Sequence, residues 1–355
     1  MIRHQTSQSR TSSKPPVKLK IGFLLARNFT LNAFSLFVDT LRLGSDQGDN
    51  SGRIACDWSV MSSTSHFIAS SSGVQVVPTS LLKPANDFTY LVVVGGRLNE
   101  EEVLDPETLR YLKKASEDNV PIIGLCTGSF VLASAGLLKG KRACVSWLHH
   151  KEFRDRFPEI SVSSHELFVE DGDIITCAGG SSAADLAAFL LNRHIGEYAE
   201  RNALEILQIS RRRDAREMQT RNPLGQAADD KRVELALLIM EQHVEDLLEI
   251  EDIATHVGLS RRQLERTFRA RLGVSPSAAY LTMRLDSANR LVRTTAVSLA
   301  EIALMTGFEN SSHFIRRFRE RFGDPPATVR KMLKLEVQAI QQPLTTLANL
   351  EGDNS

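Results

Sequence analysis

The sequence predicts two domains of different fold class: an α/β domain with a largely parallel sheet, then an all-α domain with two helix-turn-helix units. Residues 19–210 alternate short apolar strands with helices, which is typical of a parallel sheet covered by helices. Residues 250–326 repeat a helix, a glycine turn and a second helix twice. A length of 355 residues also suits two domains better than one.

Composition restricts the classes of function. Lys plus Arg and Asp plus Glu both total 43, so the global charge predicts no polyanionic partner, and local clustering of arginine matters more. Residues 1–18 are polar and basic, which predicts a disordered arm and no signal peptide. Every apolar run is too short or too interrupted to span a bilayer. The cysteines lack CxxC spacing, which predicts reduced thiols in a cytoplasmic protein, with no metal and no cofactor: Cys56, Cys126, Cys144 and Cys177.

The α/β domain is predicted over residues 19–210. Its strands are expected at 20–26, 58–62, 74–77, 90–94 and 120–125, with a hairpin at 167–169 and 174–177. Its helices are expected at 28–43, 106–117, 178–195 and 197–210, with one more that follows the turn at 126–128 and ends at 135. A charged linker is predicted at 211–230, and a tail at 334–355 follows the all-α domain of residues 231–333.

The repeated motif defines the all-α domain. Gly258 and Gly307 are 49 residues apart, whereas Phe268 and Phe318 are 50 apart, so the second copy has one extra residue at its turn. Leu264 and Phe268 share one helix face and are predicted core, as are the corresponding phenylalanines of the second copy. The other faces are rich in arginine, which indicates a DNA-binding surface.

Residues 231–332 resemble the AraC/XylS DNA-binding domain. The most specific match is the second copy, with Gly307-Phe308, Ser311-Ser312-His313-Phe314, Arg317-Phe318, Phe322-Gly323 and Pro325-Pro326. The resemblance implies two recognition helices in major-groove segments about 34 Å apart, joined by a central helix that Ser275 caps. It implies double-stranded promoter DNA and RNA polymerase as partners. The residues implied to face DNA are Arg261, Arg262, Glu265, Arg266, Ser312, His313 and Arg316.

A cysteine stands at a predicted strand-to-helix turn in the first domain, within Gly124-Leu125-Cys126-Thr127-Gly128. Such an elbow exposes the side chain above the sheet. With Gly95-Gly96 and Cys177-Ala178-Gly179-Gly180, it resembles the class I glutamine-amidotransferase-like fold in its ThiJ/PfpI branch. Hydrolytic members of that fold pair the cysteine with a histidine, and many place an acid after the first strand.

This sequence departs from the hydrolytic pattern at both positions. Residues 28–31 hold no acid, and Ser146-Trp147 stands where a histidine would be sought, with His149 and His150 turned away. Without a placed base the thiol lacks the geometry that nucleophilic catalysis requires, so no catalytic residue is predicted. The interpretation that remains is a small-molecule site.

The predicted effector site consists of Gly95, Gly96, Cys126, Thr127, Ser146 and Trp147. Backbone N–H groups at Gly96 and Thr127 would hold a carboxylate, and Trp147 would cover a cationic amine. A core role for the tryptophan is an equal alternative. Glu166 is a candidate counter-charge, or a surface residue of the hairpin.

Together the two halves resemble AraC regulators with an amidotransferase-like sensor, nearest to the subgroup controlling arginine, glycine betaine and carnitine catabolism. The function expected is a transcriptional activator that responds to a small amine or amino-acid-like metabolite. The alternatives are a cysteine hydrolase or amidase with a DNA-binding tail, and a thiol redox sensor. The apolar faces of residues 180–210 either pack on the sheet or pair two sensor domains in a homodimer.

Overall fold

The computed structural model describes residues 17–46, 50–98, 103–219 and 230–333. The chain divides into two units, Met1–Gln219 and Thr220–Ser355. The predicted arm at 1–18 lies outside the described residues except for its last two positions, and the predicted tail at 334–355 lies wholly outside them.

A seven-stranded sheet forms the centre of the first unit. Its strands lie in the order β10-β11-β7-β6-β1-β2-β5, and all neighbours are parallel except the β10-β11 hairpin. Two small sheets pair β3 with β4 and β8 with β9. The strands are β1 Leu19–Leu25, β2 Cys56–Ser62, β3 Ile68–Ala69, β4 Gln75–Val76, β5 Ser80–Leu81, β6 Tyr90–Val94, β7 Ile122–Leu125, β8 Arg142–Cys144, β9 Ser161–Ser163, β10 Phe168–Asp171 and β11 Ile174–Cys177. The predicted α/β class with a mostly parallel sheet is therefore confirmed.

Helices cover both faces of this sheet, each over its own apolar core. One face carries α1 Leu31–Ser45, α5 Ser182–His194 and α6 Glu197–Ile206; the other carries α2 Pro106–Glu117, α3 Gly128–Ser134 and α4 His150–Arg156. Leu186 and Leu190 are fully buried, so the apolar faces of α5 and α6 pack inside the unit. Those faces give no argument for a homodimer, which stays a prediction.

Several predicted boundaries were wrong for local backbone reasons. The first helix begins at Leu31 because Asn28 has a positive φ of 53°, which an α-helix does not accept. The fifth begins at Ser182, since Gly179 and Gly180 are left-handed. Strands β8 and β9 were not predicted because each is only three residues long.

The predicted linker at 211–230 was wrong in its first part. Residues 211–219 belong to the first unit and bond to it, for example through the carbonyl of Ala215, which accepts from the amide of Leu167 at 2.9 Å. Charge alone suggested a solvated segment, but the charges of this segment are used in ion pairs with the folded domain. Residues 220–229 lie outside the described residues.

Residues 230–333, the described part of the second unit, form six helices: α7 Lys231–Gln242, α8 Ile250–His256, α9 Arg261–Leu272, α10 Pro276–Thr294, α11 Leu299–Met305 and α12 Ser311–Phe322. They enclose two separate cores, one under α7, α8, α9 and the start of α10, the other under α11, α12 and the rest of α10. The long helix α10 therefore joins two helix-turn-helix units, as the resemblance implied.

The repeat appears in the structure with the predicted offset. Four residues separate α8 from α9 and five separate α11 from α12, so the extra residue does lie in the second turn. Leu264 and Phe268 have no exposed surface, and the same holds for Phe314 and Phe318. Within the described residues, no helix is both long and apolar enough to cross a bilayer.

Candidate DNA interface and effector site

The first recognition helix, α9, presents a basic face to solvent. Its N-terminus is a capping box, in which the Ser260 hydroxyl accepts from the Gln263 amide and the Gln263 side chain accepts from the Ser260 amide. Arg262 and Arg266 are exposed, while Arg261 lies 3.2 Å from Glu265 on the next turn. Because the helix packs through Leu264 and Phe268, these arginines point away from the core.

The second recognition helix, α12, is built differently. Asn310 caps it by accepting from the amides of Ser312 and His313 at 2.8 and 3.3 Å. Ser312, His313 and Arg316 are exposed, as a reading role requires. Glu320 lies 3.0 Å from Arg317 and 4.0 Å from Arg316, so this face is partly neutralised by its own acid.

Arg284 of α10 holds the turn before α12. Its guanidinium donates to the carbonyl oxygens of Thr306 at 2.9 Å and Gly307 at 2.6 Å. The same group stands 4.1 Å from the centre of the Phe308 ring, a cation–π contact. Burial lowers the pKa of Arg284 from its usual value. The sequence pattern did not indicate a role for Arg284, because its partners lie more than twenty positions further along the chain.

The cysteine elbow of the first unit has the predicted geometry. Cys126 joins β7 to α3 with a positive φ of 59°, which is rare for a residue with a side chain. Its amide donates to the Cys177 carbonyl at 3.0 Å. Its sulfur lies 3.4 Å from the hydroxyl oxygen of Thr30, which belongs to the stretch 28–31 where an acid was sought. Gly179 fits closely here, since a Cβ added to it would lie 3.0 Å from the sulfur.

The paired glycines pack against the same elbow. A Cβ on Gly95 would lie 2.1 Å from backbone atoms of Thr127 and Gly128, and one on Gly96 would lie 2.2 Å from the Arg27 carbonyl. The Thr127 hydroxyl donates to the Gly96 carbonyl at 2.6 Å. The structure thus brings Gly95, Gly96, Cys126 and Thr127 together, and close packing alone requires glycine at both positions.

Ser146 and Trp147 lie in a different set of contacts. They begin a short 3₁₀ helix at Trp147–His149, where the Ser146 hydroxyl accepts from the Leu148 amide. The amide of Trp147 donates to the side-chain oxygen of Gln219 at 2.9 Å. Glu166, the candidate counter-charge, is buried and paired with Arg142 at 3.0 Å.

The histidines near the elbow in sequence have other partners. His149 packs edge-on against Phe130 and lies 3.6 Å from Glu152. His150 is buried on α4, over the core on the α2–α4 face of the sheet. Cys126 instead packs against the core on the opposite face. The geometry therefore supplies Cys126 with a hydroxyl neighbour at Thr30.

A cavity of about 330 Å³ opens beside the glycine pair. Gly96 and Thr127 line it, with Phe130 and the guanidinium-bearing Arg97 and Arg156. Its volume is at the lower end of the range for small-molecule sites. The lining does not include Cys126, Ser146 or Trp147, so this space covers only part of the predicted site.

The other three cysteines are buried thiols. Burial raises the pKa of Cys56 to about 12 and that of Cys177 to about 11. The pKa of Cys144 is also raised well above its ordinary value, first by burial and then by the neighbouring Cys177 and Glu166. These groups stay protonated at neutral pH, as inert structural cysteines do.

The fold and these surfaces define a class: a unit with two helix-turn-helix copies, connected to an α/β domain with a cysteine elbow. Residues 253–332 match the family model of a helix-turn-helix domain, and residues 20–193 match the DJ-1/PfpI family. The HTH-type transcriptional regulator CdhR of Pseudomonas aeruginosa is 33% identical over 327 residues, covering 90% of this chain and 94% of that protein. GbdR of the same species is 31% identical over 326 residues, covering 91% and 87%.

The chain therefore belongs to the AraC-type HTH transcriptional regulators that carry an N-terminal DJ-1/PfpI domain. The relatives agree with the subgroup resemblance drawn from the sequence. A shorter similarity, 30% identity over 130 residues, relates the first unit to an isonitrile hydratase of Pseudomonas putida; it covers 36% of this chain and 55% of the hydratase. The proteins similar to the first unit thus include an enzyme.

Proposed function

We propose that this regulator activates transcription in response to a small carboxylate carrying a cationic amine, which the first unit binds without consuming it. The observation that carries the proposal is the surroundings of Cys126. The elbow is built, but the side-chain partner of its sulfur is the Thr30 hydroxyl rather than a base. A threonine hydroxyl is not a general base for the thiol proton, so the site is suited to binding rather than to turnover.

The proposed ligand class follows from the groups around the elbow. The backbone at Gly96 and Thr127 offers donors to a carboxylate, and the cavity beside them adds Arg97 and Arg156. The Trp147 ring would lie over the amine, while the backbone amide of Trp147 donates to Gln219. A cytoplasmic location, with operator DNA and RNA polymerase as partners, is part of the same proposal.

A thiol redox sensor is the weaker candidate. Cys177 lies beside Cys126 in the fold, because the Cys126 amide donates to its carbonyl. Cys177 is fully buried, and burial raises the pKa of its thiol to about 11. Cys177 therefore provides little thiolate to attack an oxidised Cys126. The hydrolase alternative is tested together with the ligand.

Thermal unfolding of the full chain in the presence of single amino acids, betaines and small amines tests this function. A ligand at one hundred times its Kd stabilises the folded state by about 2.7 kcal/mol, which raises the melting temperature. We expect a zwitterionic compound to do so and to remain unchanged by mass spectrometry. Product formation during the same incubation would favour the enzyme instead.

Trp147→Leu tests the cation site. We expect affinity for the compound found in that screen to fall about tenfold, within the range of about 0.5–2 kcal/mol that cation–π contacts provide. Trp58→Leu is the matched control, because Trp58 already stacks with Arg53 at 4.3 Å and is remote from the elbow in the sheet. Unchanged affinity in a folded Trp147→Leu chain would remove the tryptophan from the site.

A further inference from the structure

Residues 211–219, here called the strap, follow α6 and fasten the end of the first unit. Arg213 makes the strongest connection. Its guanidinium bonds to the Asp185 carboxylate at 2.6 and 3.0 Å and to the Ser181 hydroxyl at 2.8 Å. Its amide donates to the other oxygen of Asp185 at 2.7 Å. The Asp185 side chain is only 3% exposed, so the carboxylate depends on the strap for its charge partner.

Gln219 makes the second connection, at the last described residue of the strap. Its side chain donates to the carbonyls of Val145 and Glu166, both at 2.8 Å, and accepts from the amide of Trp147 at 2.9 Å. Its own amide donates to the His165 carbonyl at 3.0 Å. One side chain therefore joins two backbone segments, residues 145–147 and the one that contains Glu166.

Both connections adjoin the predicted effector site. Asp185 lies in the first turn of α5, which begins three residues after Gly179, the residue packed against Cys126. Gln219 holds the residue that would cover the amine. The strap thus touches the elbow side of the site through Arg213 and the tryptophan side through Gln219.

The strap is also the segment that continues into the connection with the DNA-binding unit. Gln219 ends the first unit and Thr220 begins the second. Release of Arg213 would leave the Asp185 carboxylate buried without its charge partner, so the strap stays docked unless this ion pair is disturbed. A ligand that disturbs the pair would therefore change the position of the strap, and coupling between sites requires an element that responds in this way.

We propose that the strap couples the effector site to the DNA-binding unit: occupancy around Cys126 and Trp147 shifts Arg213 and Gln219 between docked and released positions. This inference rests on the proposed function. It assigns the coupling to Arg213, Asp185 and Gln219, which all lie in the first unit.

The first test compares Arg213→Ala with Arg211→Ala in the full chain, without any small molecule. Arg211 is the matched control because it pairs with Glu217 inside the strap. Hydrogen exchange at two amides reports docking, because the Leu167 amide donates to Ala215 of the strap and the Gln219 amide of the strap donates to His165. Affinity is measured for a duplex selected from a random pool by the wild-type chain.

We expect Arg213→Ala to accelerate exchange at those amides and to change DNA affinity by at least about fivefold, the lower end of ordinary allosteric coupling. Arg211→Ala should do neither. Faster exchange with affinity within twofold of wild type would overturn the coupling, and unchanged exchange would overturn the docking. Preserved exchange protection at Cys126 confirms that the sheet is folded; if it is lost, Gln219→Ala replaces Arg213→Ala under the same criteria.

The second test runs from the site to the strap, with iodoacetamide as the probe. The reagent adds a carbamidomethyl group to Cys126, while Cys56, Cys144 and Cys177 are protected by complete burial. We expect faster exchange across the strap in the modified chain. The Cys126→Ser chain, treated in the same way, should show no acceleration. An unchanged strap beside a fully modified Cys126 would overturn the proposal. Because neither test uses an effector, a screen that finds no stabilising compound would count against the proposed function alone.

Discussion

The two helix-turn-helix copies share a residue pattern but hold their turns in different ways. A Cβ added to Gly258 would meet no atom within 4 Å, whereas one added to Gly307 would lie 2.7 Å from the Val244 carbonyl. Arg284 also bonds to the second turn. Both recognition helices have a local N-cap, the capping box at Ser260 and Asn310, but the second turn is also held by contacts with Val244 and Arg284. A repeated sequence motif therefore specifies the same shape without specifying the same source of stability.

Replacing the turn glycines should separate the copies most strongly. Both have φ near 70°, so alanine at Gly258 should cost about 1–2 kcal/mol from backbone strain alone. Alanine at Gly307 should cost about 2–5 kcal/mol, because the clash with Val244 adds to the strain. Hydrogen exchange of α8–α12 in the full chain under denaturant measures both. Equal losses would contradict the difference between the copies.

Arg284→Ala should destabilise the second copy by about 2–3 kcal/mol, because two charge-assisted hydrogen bonds to carbonyls are lost from a partly buried group. Arg290→Ala is the control on the same helix, where the arginine is exposed and contacts Ser287 at 3.4 Å. Exchange should rise in α11 and α12 and stay constant in α8. A loss of stability no greater than that of Arg290→Ala would show that the second turn does not depend on the Arg284 hydrogen bonds.

Arg266→Ala should reduce affinity for the selected duplex by about 1–3 kcal/mol and relax one operator position, if the guanidinium bonds to a guanine edge. Arg269→Ala, on the same helix but further along, is the control and should lower affinity less. Binding is compared on the selected duplex and on random DNA. An equal loss on both would assign Arg266 to phosphate.

The smallest effect is expected at Arg321, which pairs with Asp286 at 2.8 and 2.9 Å near the surface. Both side chains are more than a third exposed, so Arg321→Ala should cost only about 0.2–1 kcal/mol. Asp286→Asn should give a similar loss, and both should shrink in high salt. A loss that persists in molar salt would indicate that packing, not charge, is the contribution of this arginine.

The sequence predicted most of the fold, because apolar periodicity and glycine placement are local signals. Tyr90–Val94 and Pro106–Glu117 were predicted at their observed bounds, and the capping role of Ser275 was correct. The two-residue β3 and β5 and the three-residue β8 and β9 escaped, since a strand that short has no measurable periodicity. Backbone strain at Asn28 shortened a helix that composition alone would have extended.

The candidate sites were predictable only where their residues adjoin in sequence. The elbow at Cys126 and the exposed arginines of α9 follow from short motifs. The roles of Arg213 and Gln219 depend on partners 28 to 74 positions away, which a single sequence does not pair. The predicted linker was wrong in its first part for the same reason. Its charges indicated a solvated segment, whereas Arg212 pairs with Glu200 and Arg213 with Asp185 in the fold.

Selection of DNA from a random pool tests the central claim of two unequal readers most directly. The wild-type chain should enrich two conserved segments about one helical turn apart, roughly 10 base pairs from centre to centre. Arg266→Ala should lose information in one segment, and His313→Ala should lose it in the other. A single contiguous segment, or equal loss in both segments from either variant, would contradict the assignment of one reader to each copy.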